Sequence, residues 1–169
     1  LEEKPFFKRY IEISVIDDGD RLRIKGSLKD CRFGDTLHEI DAFIIINPWD
    51  GEIKEINGHM KTLPLEECVK GLETLKELVG VSIKPGFTDI VKNTVGSSRG
   101  CTHLATLVTN MGNVSVQGRS AYSRMKITDE NTRLNIIRSN VKNLGLINSC
   151  VSWREDGPIV RKLRRQIQD

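Results

Sequence analysis

Aromatic residues make up only 5% of the 169-residue chain, too few for a surface that stacks nucleic-acid bases. No apolar run approaches the roughly 20 residues of a membrane helix, and the richest, Ala42–Ile46, is strand-sized. An excess of one charge is lacking too. Twenty-six basic against 23 acidic residues leave +3, which demands no polyanionic partner. The distribution is uneven, with Arg161, Lys162, Arg164 and Arg165 basic at one end and Asp17, Asp18 and Asp20 clustered early. The four cysteines, Cys31, Cys68, Cys101 and Cys150, are scattered and include no C-x2-C pair. They form no disulfide framework, so reduced thiols are expected. A secretory leader pattern, internal repeats and low-complexity stretches are also missing. The composition, 38% apolar and 29% charged, is that of a globular chain. A soluble, cytoplasmic protein is expected, with no membrane or nucleic-acid partner; a homo-oligomer and a small-molecule substrate stay open.

What is present begins with strands. Tyr10–Ile16 alternates, with Ile11, Ile13 and Val15 on one side. Asp17-Asp18-Gly19-Asp20 reads as a hairpin turn before a second alternating run from Leu22. Leu37–Ile46 is a third run, closed by the turn formers Asn47-Pro48-Trp49-Asp50-Gly51, and Glu52–Met60 is a fourth. The period then changes. Leu65, Cys68, Leu72, Leu75 and Val79 recur at steps of three and four and predict an amphipathic α-helix that stops at Gly80. A shorter helix is expected over Phe87–Val95 with Ile90 and Val91 inside, and a third from about Cys101 to Met111, closed by Gly112. Asn113–Ile127 has no settled reading. Asp129–Leu144 (Leu134, Ile137, Val141, Leu144) reads as helix, and Pro158 as the start of a last one. The expectation is an α+β fold, an amino-terminal antiparallel β-meander of about four strands packed against helices. Residues 1–112 would form the core domain and 113–169 a carboxyl-terminal helical extension packing on it.

The chemistry concentrates in Gly100-Cys101-Thr102-His103. A loop delivers a thiol to a helix start, where free N–H groups and Arg99 favour an anion. A thiolate is the form that binds metal or attacks an electrophile. Residues two apart on a regular helix diverge by about 200°, so joint use requires Cys101 at the cap and His103 in the first turn. Plain packing competes: Cys68 lies on an apolar stripe and Cys150 in an apolar run. His38 reads first as a hydrogen-bonded structural residue, His59 as exposed, and Cys31 as a bystander.

Certain pieces occur in a recognisable order: Arg9; Gly26-Ser27-Leu28-Lys29-Asp30; Leu37-His38-Glu39-Ile40; Pro64 and Cys68; Leu78-Val79-Gly80-Val81 leading to Pro85-Gly86-Phe87; and Gly100-Cys101-Thr102-His103-Leu104. In these the chain resembles an uncharacterised prokaryotic family, domain of unknown function 2889, from Arg9 to about Leu107. Cys150–Trp153 with Gly157-Pro158 is similar to that family's terminal cysteine segment. The resemblance implies no activity, only a shortlist of Cys68, Cys101, His103, Cys150, His38 and Asp30. The order of strands, helices and cysteines is also similar, in layout alone, to iron–sulfur assembly scaffold proteins.

From the shortlist, Cys68, Cys101, His103 and Cys150 would make a Cys₃His set for zinc or iron, with Asp30 or His38 as substitute or outer partner. Metal binding is thus the leading expectation. A cysteine-nucleophile enzyme on an acyl or thioester substrate is the alternative, with Cys101 as nucleophile and His38 or His103 as base. A non-catalytic interaction module is the third.

Overall fold

The computed structural model describes residues 4–143 and 145–165. Four strands, β1 (Phe7–Asp18), β2 (Arg21–Arg32), β3 (Asp35–Ile46) and β4 (Ile53–Thr62), form an antiparallel meander in the order β1-β2-β3-β4. The hairpin between β1 and β2 closes through Gly19 at φ 78° and Asp20, with the Gly19 amide donating to Asp17 Oδ1. Asn47 Oδ1 accepts from the Trp49 amide, and Gly51 turns at φ 73° into β4. The chain is α+β, as its alternation predicts.

One face of the sheet is buried. Leu22, Ile24, Leu28, Ile40, Ile44, Ile46 and Ile53 are at most 2% exposed, and the residues between them in β2 point to the other side. Glycine lets a helix close on this face. A Cβ at Gly26 would stand 2.8 Å from the sulfur of Met111.

The helices differ from the expectation in instructive ways. Glu66–Leu78 is a 3₁₀ helix and not an α-helix. Its inner residues Leu72, Leu75 and Leu78 recur at steps of three, the 3₁₀ period, and this leaves Leu65 and Val79 exposed. It packs on β4. In α1 (Phe87–Thr94) the buried positions are Phe87 and Val91, continued by Val95, whereas Ile90 is 39% exposed.

The third helix, α2, runs from Thr102 to Lys126. It passes straight through Gly112 and Gly118. Neither glycine is a stop: a Cβ at Gly112 would meet the Phe87 ring at 2.6 Å, and one at Gly118 would meet Val15 at 2.6 Å. They are sites of close approach. Leu104, Leu107, Val108 and Met111 are fully buried, as their spacing predicts.

By internal packing the chain divides into two compact units, Leu1–Ser120 and Ala121–Asp169, so the expected boundary at residue 112 falls inside α2. The second unit contains the end of α2, α3 (Glu130–Asn143), a 3₁₀ turn at Val151–Trp153 and α4 (Pro158–Arg165). Asp129 caps α3 by accepting from the Thr132 amide at 2.7 Å. Val141 is buried, and Leu144 lies outside the described residues. Among the described residues no helix is long and apolar enough to cross a membrane.

Candidate functional site

Three neighbouring strands place three polar residues in a row on the helix-facing side of the sheet. Arg9 of β1 opposes Asp30 of β2, and Asp30 opposes His38 of β3. The register between β2 and β3 shifts at Asp30/Cys31. An extra residue at such a bulge re-aims the side chains beside it.

Asp30 is fully buried, and Arg9 grips both its oxygens, Nε to Oδ1 at 2.7 Å and Nη2 to Oδ2 at 2.7 Å. This fork holds the Asp30 carboxyl below the usual carboxylate range against the opposing effect of burial. His38 is 8% exposed. Its Nδ1 lies 3.3 Å from Asp30 Oδ2 but without hydrogen-bonding geometry, so this buried nitrogen is unsatisfied.

The fourth residue arrives from above. Val95 O accepts from the Cys101 amide at 2.7 Å, folding residues 95–101 into a tight loop. Only glycine fits at position 100, since a Cβ there would overlap the carbonyl oxygen of Val95. Cys101 sits just outside α2 and Ala105 N donates to its carbonyl, so it stands at the cap with His103 in the first turn. The sequence condition for joint use of the two is met. Cys101 Sγ is 3.9 Å from His103 Nδ1.

The other nitrogen of His103, Nε2, is 3.7 Å from Asp30 Oδ2, and its ring stacks on His38 with centroids 3.8 Å apart. Burial, followed by the charges of His38 and Arg9, lowers the pKa of His103 despite Asp30. The imidazole is therefore neutral at neutral pH and carries a free lone pair. Asp30, His38 and His103 offer ligand atoms all within 4.8 Å of one another, the one such group among the described residues.

A family model described as "Protein of unknown function (DUF2889)" matches residues 7–117, well over half of the chain. The chain belongs to that family. No curated protein and no solved structure matches it. The DUF2889 span contains the whole sheet, Arg9, Asp30, His38, Cys101 and His103, and ends within α2. Cys150, read as part of the same resemblance, lies beyond the matched span.

The predicted residues thus have different placements. Cys101, His103, His38 and Asp30 gather at one point of the DUF2889 domain. Cys68 is half-buried in the 3₁₀ helix and stands outside the three-residue ligand group. Cys150 is exposed, next to the turn Val151–Trp153 of the second unit, so it is not a packing residue of an apolar run. Cys31 is half-buried and His59 exposed. Arg99 pairs with Glu77 at 2.9 Å.

Arg9 is the participant that sequence reasoning did not single out as a site residue. The signal was available, because a two-residue turn at Gly19-Asp20 fixes the register that sets Arg9 against Asp30. Two hollows lie elsewhere. One, of about 550 Å³, is on the open face around Arg23, Lys25, Phe43 and His59, and the other lies beside Phe6, Tyr10 and Phe33.

Proposed function

We infer that this DUF2889 domain binds one divalent metal ion, zinc or iron(II), between Asp30, His38 and His103. The observation that carries the reading is His38 Nδ1, buried without a hydrogen bond and 3.3 Å from Asp30 Oδ2. Leaving a buried polar atom unsatisfied costs about 1–3 kcal/mol. A cation shared by that nitrogen, His103 Nε2 and the carboxylate removes the penalty. Two imidazoles and one carboxylate, with further positions open, suit catalytic-type zinc and non-haem iron(II).

Arg9 has two effects. It keeps Asp30 ionised, the form a metal requires, and its own charge weakens any cation placed alongside. The affinity therefore falls below that of a closed structural zinc site. Cys101 has an outer role: its sulfur faces His103 Nδ1, accepts a hydrogen bond from the Nδ1–H tautomer and so leaves the Nε2 lone pair free to bind. Cys68 and Cys150 have no part in this site.

Metal analysis of anaerobically purified protein tests the reading. Close to one equivalent of zinc or iron is expected, lost in His38→Asn and His103→Asn and retained in Cys68→Ser and Cys150→Ser. Less than about a tenth of an equivalent on a folded protein overturns it. A sulfur-to-cobalt charge-transfer band after Co²⁺ substitution also overturns it, in favour of thiolate ligation.

A second reading rests on three residues of the same cluster. Cys101 Sγ, His103 and Asp30 form a relay with spacings of 3.9 Å and 3.7 Å, the arrangement of a thiol nucleophile, its base and an orienting carboxylate. It favours an acyl or thioester substrate. Fast alkylation of Cys101 alone, abolished in His103→Ala, supports it; uniform reactivity of the four thiols rejects it.

A further inference from the structure

β1 is an edge strand whose outer side pairs with nothing among the described residues. The opposite edge is partly covered: Ile53 N donates to Val81 O at 2.9 Å, Gly80 N to Ile53 O at 2.8 Å, and Glu52 bridges to Ser82. An open edge that long is a template for another strand. β1 carries edge charges at Lys8, Glu12 and Asp18, yet apolar residues stay exposed between and beside them. Phe7, Tyr10, Ile11 and Ile16 are 43%, 54%, 37% and 40% exposed.

The order of residues along β1 identifies the partner. Ile11, Ile13 and Val15 oppose the inward-facing Leu28, Gly26 and Ile24, so they belong to the helix-facing side. Lys8, Tyr10, Glu12, Ser14, Ile16 and Asp18 point to the open side. A second copy related by a two-fold axis normal to the sheet keeps every residue on its own side. Centred on Ile13, that operation sets Ile11 opposite Val15 and Tyr10 opposite Ile16. It also sets Lys8 opposite Asp18, and Arg9 opposite Asp17. Apolar residues meet apolar ones on both faces, and the basic end of one strand meets the acidic end of the other.

We propose that a second copy of this chain docks on β1, the two β1 strands pairing antiparallel about Ile13 into one continuous sheet. The edge supplies the backbone bonds, and the side-chain palindrome sets direction and register. Arg9 is already held by Asp30, so Lys8 with Asp18 is the charge pair that discriminates. Asp18 also pairs with Arg23 within its own chain, at 2.9 Å, and a carboxylate has acceptor sites for both. This pairing is independent of any metal in the DUF2889 site.

Sedimentation of the full chain over a roughly hundredfold concentration range measures the dimer constant. A dimer is expected. Lys8→Glu sets one carboxylate against another, that of Asp18, at both ends of the pairing and should weaken the dimer at least about tenfold; Asp18→Lys should do the same with two ammonium groups. The double variant Lys8→Glu/Asp18→Lys reverses both signs and should return to within about threefold of the wild type. Circular dichroism confirms that each variant is folded. For register, Ile13→Cys should cross-link to itself on mild oxidation, while Ile11→Cys, whose copies are separated along the strands, should not. A monomer throughout the range overturns the proposal. So does a dimer indifferent to Lys8→Glu, or a double variant that fails to recover.

Discussion

Arg9 and Asp30 face each other on adjacent strands, joined by two bonds of 2.7 Å, while the carboxylate they share with the histidine pair sees no solvent. Removing the guanidinium strands a buried negative charge. Arg9→Ala should cost about 3 kcal/mol in urea unfolding, the lower end of the range for a broken buried pair because Arg9 is partly exposed. The double variant Arg9→Met/Asp30→Leu should recover most of that loss, since no charge is left behind. The Arg9→Ala deficit also depends on acidity. The Asp30 pKa is depressed in the folded chain, so its contribution is present above the unfolded value of about 3.9 and disappears as pH falls through the folded value. The wild type and Arg9→Ala should therefore converge in strong acid.

His103 gives a second, separate pH window. Its folded pKa lies below the ordinary value, chiefly through burial. Between the folded value and about 6.5 the unfolded chain binds the extra proton, so stability is complete above about 6.5 and declines as pH falls towards the folded value. Thermal unfolding from neutral to mildly acidic pH should show this decline, and His103→Asn should flatten it. A decline unchanged in His103→Asn would assign it to another group.

How far this site could be read from the sequence depends on the kind of signal. Alternation along Tyr10–Ile16 and Leu37–Ile46, with Gly19 and Gly51 at the turns, specifies the meander because side-chain period and turn chemistry are local. The convergence of Cys101 with His103 is local as well. The meeting of Asp30 with His38 is not. It depends on a bulge beside Cys31 that no residue type announces, and on α2 crossing the sheet where Gly26 admits Met111. The glycines of α2 show the same gap: Gly112 looks like a stop and Gly118 settles nothing, because their role lies in what they touch.

That role is testable. In a helix interior Gly→Ala normally gains about 0.5–1 kcal/mol. At Gly112 the new methyl would overlap the ring of Phe87, which is only 5% exposed and has nowhere to go. Gly112→Ala should therefore destabilise by about 1–3 kcal/mol, the cost of overpacking. At Gly118 the obstacle is Val15 on the edge strand, half-buried and freer to shift. Gly118→Ala should be milder, and the order of the two thermal midpoints checks the argument. A stabilised Gly112→Ala would show the glycine to be merely tolerated.

Arg119 connects α2 to the loops at the far end of the sheet and escaped sequence reading altogether. Its guanidinium donates from Nε to Pro48 O at 2.9 Å, from Nη2 to Trp49 O at 2.7 Å and from Nη1 to Ile83 O at 3.3 Å. Burial lowers its pKa, and Asp50 only partly opposes that. The fork matches three carbonyls in two separate loops, a geometry that the single ammonium of lysine cannot copy. Gly51 leaves room for it, since a Cβ there would stand 2.7 Å from Nη1. Arg119→Met should cost about 3 kcal/mol by leaving these carbonyls without their charged donor. Arg119→Lys should restore less than half of it, while the metal content proposed for the His38 and His103 site stays unchanged in both. Equal stability of Arg119→Lys and wild type would reduce the residue's role to its charge.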